Sequence, residues 1–201
     1  MNSLVIGNGE SRRALDLTTI LESYVTVGCN AIQRDYSVDH IVCCDRRMVE
    51  EAIVSKNTKD TMIYVREDWL NYFKKIKKDN RIQKVPDLPY SEERKIDNPI
   101  HWGSGPYAVL VGATLSDDVT LIGFDLYPFD DKINNVYKGT KHYGHKTSKP
   151  IDYSYWVYQI AKVFQHYPDT KFKVVNTNDW DFPKSWKQQN VFFETLDKFN
   201  G

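Results

Sequence analysis

No stretch of this chain stays apolar for the roughly 20 residues that a bilayer-spanning helix needs. Its first residues lack the basic-then-apolar pattern of a secretory leader, so neither a membrane span nor export is expected. Net charge is missing as well. The 27 Lys and Arg balance 27 Asp and Glu, which leaves no electrostatic footprint for a nucleic-acid partner. Cysteine is scarce and odd in number, 3 in all (Cys29, Cys43 and Cys44), with no zinc-type Cys/His spacing. These read as buried thiols in a reducing compartment, with the cytoplasm as the expected location. A 201-residue chain, 41% hydrophobic, is long enough for a single domain, 1–201, with its own core.

What the chain does have is alternation. Strand-like runs occupy 4–6, 24–29, 40–44, 61–65, 119–123 and 172–175. Helix-like segments fall between them at 11–21, 46–55, 67–76, 104–115 and 153–166. The pattern predicts an α/β fold, a Rossmann-like and mostly parallel sheet with helices on both faces. Pro86, Pro89 and Pro99 break the polar stretch 77–98, which reads as an excursion. Residues 128–149, rich in Asp, Asn, Gly, Lys and Tyr, read as a short mobile lid. Trp180, Phe182, Trp186, Phe192 and Phe193 in the tail read as a cap on the core.

The first strand stops at Gly7-Asn8-Gly9-Glu10-Ser11, a turn whose bare N–H groups are expected to face a crevice ligand. Other strands end the same way, at Asn30, Asp45, Asp125 and Asn176. In a parallel sheet the carboxyl ends of the strands line the ligand crevice, and amides and carboxylates there suit a ribose, a base edge or a sugar. No phosphate-loop lysine accompanies the glycines, and the third glycine of a dinucleotide fingerprint is absent. Ser104-Gly105-Pro106 reads as a helix start with serine as N-cap. Lys141-His142-Tyr143-Gly144-His145-Lys146 supplies imidazoles and lysines suited to proton transfer and to anions.

Taken in order, Asn8-Gly9 with Ser11, Cys29-Asn30, Ser104-Gly105 with Tyr107, Gly123-Phe124-Asp125-Leu126-Tyr127 and His142-Tyr143-Gly144-His145 resemble the family 42 bacterial sialyltransferases. The resemblance runs from Val5 to about Val175 and is assembled from short pieces. It implies a Rossmann-like domain with a lid that transfers sialic acid from CMP-sialic acid to a glycan hydroxyl with inversion. By the same resemblance Asn8, Gly9 and Asn30 contact the donor nucleotide, with Ser104 and Gly105 near phosphate and sugar. Asp125 would hold the ribose or its surroundings, Tyr127 the departing phosphate, and His145 would be the general base. His142 or Tyr143 would add a phosphate or carboxylate contact.

The residue types suit that chemistry. Charge growing on a leaving phosphate can be met by tyrosine hydroxyls and a helix start, so no divalent metal and no cofactor beyond the CMP-activated donor is expected. The chain departs from the family pattern at three places. Asp45 stands where an asparagine faces the donor, His101 where an arginine precedes the Ser-Gly pair, and Tyr137 is the nearest match for a second leaving-group tyrosine. Two other readings remain open. One is a nucleotide- or sugar-binding protein of the same fold without transfer. The other is a small hydrolase or phosphotransferase using Asp125, Asp130 and Asp131 as metal ligands.

Overall fold

A computed structural model describes residues 2–91 and 94–199; Glu92 and Glu93, within the expected excursion, lie outside the described residues. Its centre is one sheet of eight strands: β1 (Ser3–Ile6), β2 (Val25–Cys29), β3 (His40–Cys43), β4 (Met62–Val65), β5 (Ile82–Lys84), β6 (Asp118–Ile122), β7 (Lys171–Asn176) and β8 (Val191–Thr195). Every pairing is parallel, in the order β5-β4-β3-β2-β1-β6-β7-β8. The chain therefore works outward from β1 in one direction, then returns to the other side of β1 with β6. That reversal is the switch point at which open α/β sheets bind ligands.

Both faces of the sheet are covered, which is why its central strands are continuously apolar rather than alternating. Leu4 and Ile6 of β1 point into one core and Val5 into the other. In β3, Ile41 and Cys43 share the first core, while Val42 joins the second. The first core holds α1 (Leu17–Ile20), α2 (Arg46–Val54) and α3 (Glu67–Lys77). The second holds α4 (Ser104–Leu115) and α5 (Ser154–His166). Helix α4 is buried along most of its length and packs on β1, β2, β3, β6 and α5. This explains why its sequence is small and apolar all round, with no polar face.

The expected single helix over 11–21 is instead three short pieces: a 3-10 turn at Glu10–Ala14, α1, and a second 3-10 turn at Leu21–Ser23. Asp16 restarts the helix by accepting the Thr18 N–H at 3.1 Å. Arg12 meanwhile turns inward, buried, to donate to the Gly7 carbonyl at 3.3 Å and the Tyr137 hydroxyl at 2.8 Å. Two strands stand where none was expected, β5 within the excursion and β8 in the tail. Both are sheet edges. The tail does cap the second core through Trp186, fully buried and bonded to the Val157 carbonyl at 2.9 Å. Among the described residues no helix is long and apolar enough to cross a membrane.

Candidate functional site

A cavity of about 520 Å³ lies at the carboxyl ends of the central strands. Of the residues singled out above, Asn8, Gly9, Asn30, Asp45, Ser104, Gly105, Asp125, His142 and Tyr143 line it. Ser11, Tyr127, Tyr137 and His145 are not among the lining residues, and neither is Asn176.

The opening turn is built differently from the expectation. Four of its five amides are already taken: Gly7 N–H donates to the Ile122 carbonyl and Gly9 N–H to the Gly123 carbonyl, both at 2.8 Å. Glu10 N–H goes to Asn134 Oδ1 at 3.0 Å, and Ser11 N–H to Asp125 at 2.9 Å. The glycines are there because β1 and β6 close on each other. A Cβ on Gly7 would sit 2.3 Å from the Gly123 carbonyl oxygen, and one on Gly9 at 2.3 Å from the Asp125 carboxylate. What this turn offers the cleft is the Asn8 side chain. It is buried, its amide donates to the Cys29 carbonyl at 3.1 Å and to the Tyr143 hydroxyl at 3.4 Å, and its Oδ1 has no partner among the described residues. A buried acceptor left empty is costly, so a ligand hydroxyl or amino group would be welcome there.

Ser104 is the first residue of α4 and Gly103 its N-cap, a correction to the serine cap expected from sequence. The Ser104 hydroxyl is instead a tie, donating to Asn30 Oδ1 at 2.8 Å and accepting the Cys44 N–H at 2.9 Å. It thereby locks the ends of β2 and β3 to the start of α4. Among the described residues no side chain caps α4, and its first two residues, Ser104 and Gly105, line the cleft, so the partial positive charge of the helix start gathers there.

Asp45 precedes α2 without capping it and is exposed, so its carboxylate is not spent on the fold. Asp125 is spent: Ser11 supplies both its N–H and its hydroxyl to the two carboxylate oxygens. Cys29 and Cys44 also line the cavity, and burial pushes each thiol up to about 12. Thiols so protonated are inert walls rather than nucleophiles.

The segment expected as a mobile lid is bonded to the body. Val136 N–H reaches the Asn8 carbonyl at 2.8 Å, and Lys138 pairs with Glu10 at 2.8 Å. Tyr137 is buried between Arg12 and Asp35, donating to the latter at 2.6 Å. Tyr127 packs edge-on against Tyr153, with ring centres 4.8 Å apart. Burial holds its hydroxyl above the ordinary tyrosine range, helped by the charge of Asp181. His142 is exposed on the cleft rim with φ of 68°. His145 is exposed with its Nδ1 2.9 Å from Thr147 Oγ1, next to the lining residue Gly144. Asn30 and Leu126 also line the cavity at positive φ, 51° and 63°. Strained backbone of this kind gathers at functional sites.

Sequence reasoning missed Arg66, the one lysine or arginine among the described residues lining the cavity. Its guanidinium is held by Asp68, at 3.1 Å and 2.9 Å, and by the Ile100 carbonyl at 2.7 Å. The signal was present, since Arg66 follows β4 just as Asp45 follows β3. Trp102 and Trp156, also missed, line the apolar side. Among the described residues no three His, Cys, Asp or Glu side chains are grouped to hold a metal ion.

No family model matches the chain, and no curated protein matches it. Among solved structures, the chain is similar to the sialyltransferase CST-II in complex with trisaccharide acceptor and CMP. The TM-score is 0.52 at 16% identity, over 87% of this chain and 80% of that one. At that identity the likeness is one of fold.

Proposed function

We propose that this protein is a glycosyltransferase resembling the CMP-sialic-acid-dependent sialyltransferases. It would transfer a sugar from a CMP-activated donor to a glycan hydroxyl with inversion, without a divalent metal. One observation carries the reading. On a fold shared with a sialyltransferase solved with CMP, the switch-point cavity gathers Asn8, Asn30, Ser104, His142 and Tyr143 from segments far apart in sequence. The donor nucleotide would lie against Asn8 and Asn30, with Asn8 Oδ1 accepting from it. Its phosphate would face the open start of α4, and Arg66 would add positive charge to the same wall.

In the transfer step the bond between the anomeric carbon and the phosphate oxygen breaks while the acceptor oxygen attacks the opposite face. Positive charge grows on the sugar and negative charge on the phosphate. The acceptor proton would pass to an imidazole of the 142–145 segment. The family resemblance assigns this role to His145, whose side chain would turn inward past Gly144. His142 already lines the cleft and is the control. Tyr127 would donate to the departing phosphate after a similar turn.

Release of CMP from CMP-sialic acid, with EDTA present, tests the proposal in the parent, His145→Ala and His142→Ala. The account expects turnover in the parent and its loss in His145→Ala. Turnover equal in all three would remove the imidazoles from the mechanism. A second reading, a nucleotide-sugar binder without transfer, is favoured by the engagement of His145 with Thr147. It predicts CMP binding with no turnover in any variant. The phosphotransferase reading is not favoured, because Asp125, Asp130 and Asp131 do not form a metal-holding group among the described residues.

A further inference from the structure

Arg34 ends the 3-10 turn after β2 and has no place in the reading above, yet its side chain bonds to Thr140 and Lys141, just before the cleft residues His142 and Tyr143. Its Nε and Nη2 form a two-pronged pair with Glu51 of α2, at 2.5 Å and 2.8 Å. The remaining donors reach the segment that leads into the cleft-lining residues His142 and Tyr143. Nη1 donates to Thr140 Oγ1 at 2.7 Å, and Nη2 also reaches the Lys141 carbonyl at 2.9 Å. The guanidinium carbon stands 5.6 Å from the ring centre of Tyr137 and 5.7 Å from that of Tyr143. A planar fork is needed to face a carboxylate, a hydroxyl, a carbonyl and two rings together, and lysine cannot reproduce it. Immediately after this anchor come His142, at a φ of 68°, and Tyr143, whose hydroxyl meets the Asn8 amide at 3.4 Å.

We infer that Arg34 is a positioning residue that seats residues 140–143, and with them His142 and Tyr143, on the rim of the cleft. Glu51 fixes the guanidinium, Thr140 and Lys141 receive it, and the strained turn at His142 is held by that grip. The role in transfer rests on the proposed glycosyltransferase reading; the seating itself does not.

Two measurements separate them. Amide hydrogen exchange is compared in the parent, Arg34→Gln, Arg34→Lys and Thr140→Ala. The inference expects exchange across 139–146 to rise about tenfold or more in Arg34→Gln and less in Thr140→Ala, with β1 to β4 unchanged. Arg34→Lys should resemble Arg34→Gln, since it keeps charge but loses the fork. If Arg34→Gln fails to fold, Thr140→Ala decides. Exchange in 139–146 equal to the parent overturns the inference. CMP release from CMP-sialic acid is the second readout. A fall in kcat of about tenfold in Arg34→Gln, with the KM for donor changed by no more than about twofold, supports positioning of the reacting groups. An unchanged kcat despite a loosened segment overturns the positioning role. Absence of turnover in the parent counts against the glycosyltransferase reading, and the exchange data then judge the seating alone.

Discussion

Asp125 at the end of β6 takes both the N–H and the hydroxyl of Ser11, three residues past Asn8 at the end of β1. Two residues read from sequence as ligand contacts are thus partners of each other. Their bond fastens the sheet at its switch point and fixes where Asn8 sits. Asp125→Ala would leave the Ser11 N–H without its acceptor in a half-buried setting. The expected loss is about 1–3 kcal/mol of unfolding free energy, read from the midpoint of urea denaturation at unchanged slope.

The glycines around this contact differ in what they tolerate. Gly7→Ala drives a methyl into the backbone of Gly123, which cannot swing aside, whereas a Cβ on Gly105 would first meet Phe124 at an ordinary 3.6 Å. Gly7→Ala should therefore cost about 1–3 kcal/mol or prevent folding, while Gly105→Ala should fold normally. Thermal unfolding of the two side by side checks the order; equal midpoints would contradict it.

The thiols in the cleft wall should be silent. Cys29 and Cys44 are pushed up to about 12 by burial, and Cys43 is raised by the same cause. Iodoacetamide at pH 8 should leave all three unmodified in the native protein and label all three in urea. Mass spectrometry reads the difference, and rapid labelling of the folded chain would count against these environments.

Acid should weaken the fold in two stages. His40, half-buried with Nδ1 unpartnered among the described residues, has its pKa lowered by burial against the opposing pull of Asp39. A depressed folded value means the unfolded chain takes up the proton first. Stability is then complete above the ordinary histidine value of about 6.5 and declines below it. Glu51, lowered mainly by its bond to Arg34, adds a second decline below about 4.5. Urea midpoints between pH 7 and pH 5 should fall in the parent and stay nearly level in His40→Phe. Parallel profiles would show that another group carries the first stage.

Much of the fold could be read from the chain because the central strands are buried on both faces and leave unbroken apolar runs, as at Leu4-Val5-Ile6 and His40-Ile41-Val42-Cys43. The edges carry no such mark. In β5 only Ile82 is buried, and β8 leaves Phe192 and Phe193 partly exposed, so neither run has the long buried core of a central strand. The strand-end rule found Asn8, Asn30, Asp45 and Asp125, since chain direction alone brings those positions to one edge. It could not foresee which polar groups would be consumed by neighbours distant in sequence. Ser11 by Asp125, Ser104 by Asn30 and Cys44, and Tyr137 by Arg12 and Asp35 are tertiary pairings with no local pattern. Arg66 stands after β4 as Asp45 stands after β3, but a guanidinium is outside the pattern of amides and carboxylates that marks the other strand ends.

Titration of CMP against the folded protein in EDTA, followed by thermal unfolding, tests the central claim most directly. The account predicts a midpoint that climbs with CMP concentration. At a hundred times Kd the gain should correspond to about 2.7 kcal/mol, and Asn8→Ala should abolish most of it. No response to CMP, or a response to ATP that needs magnesium, would contradict it.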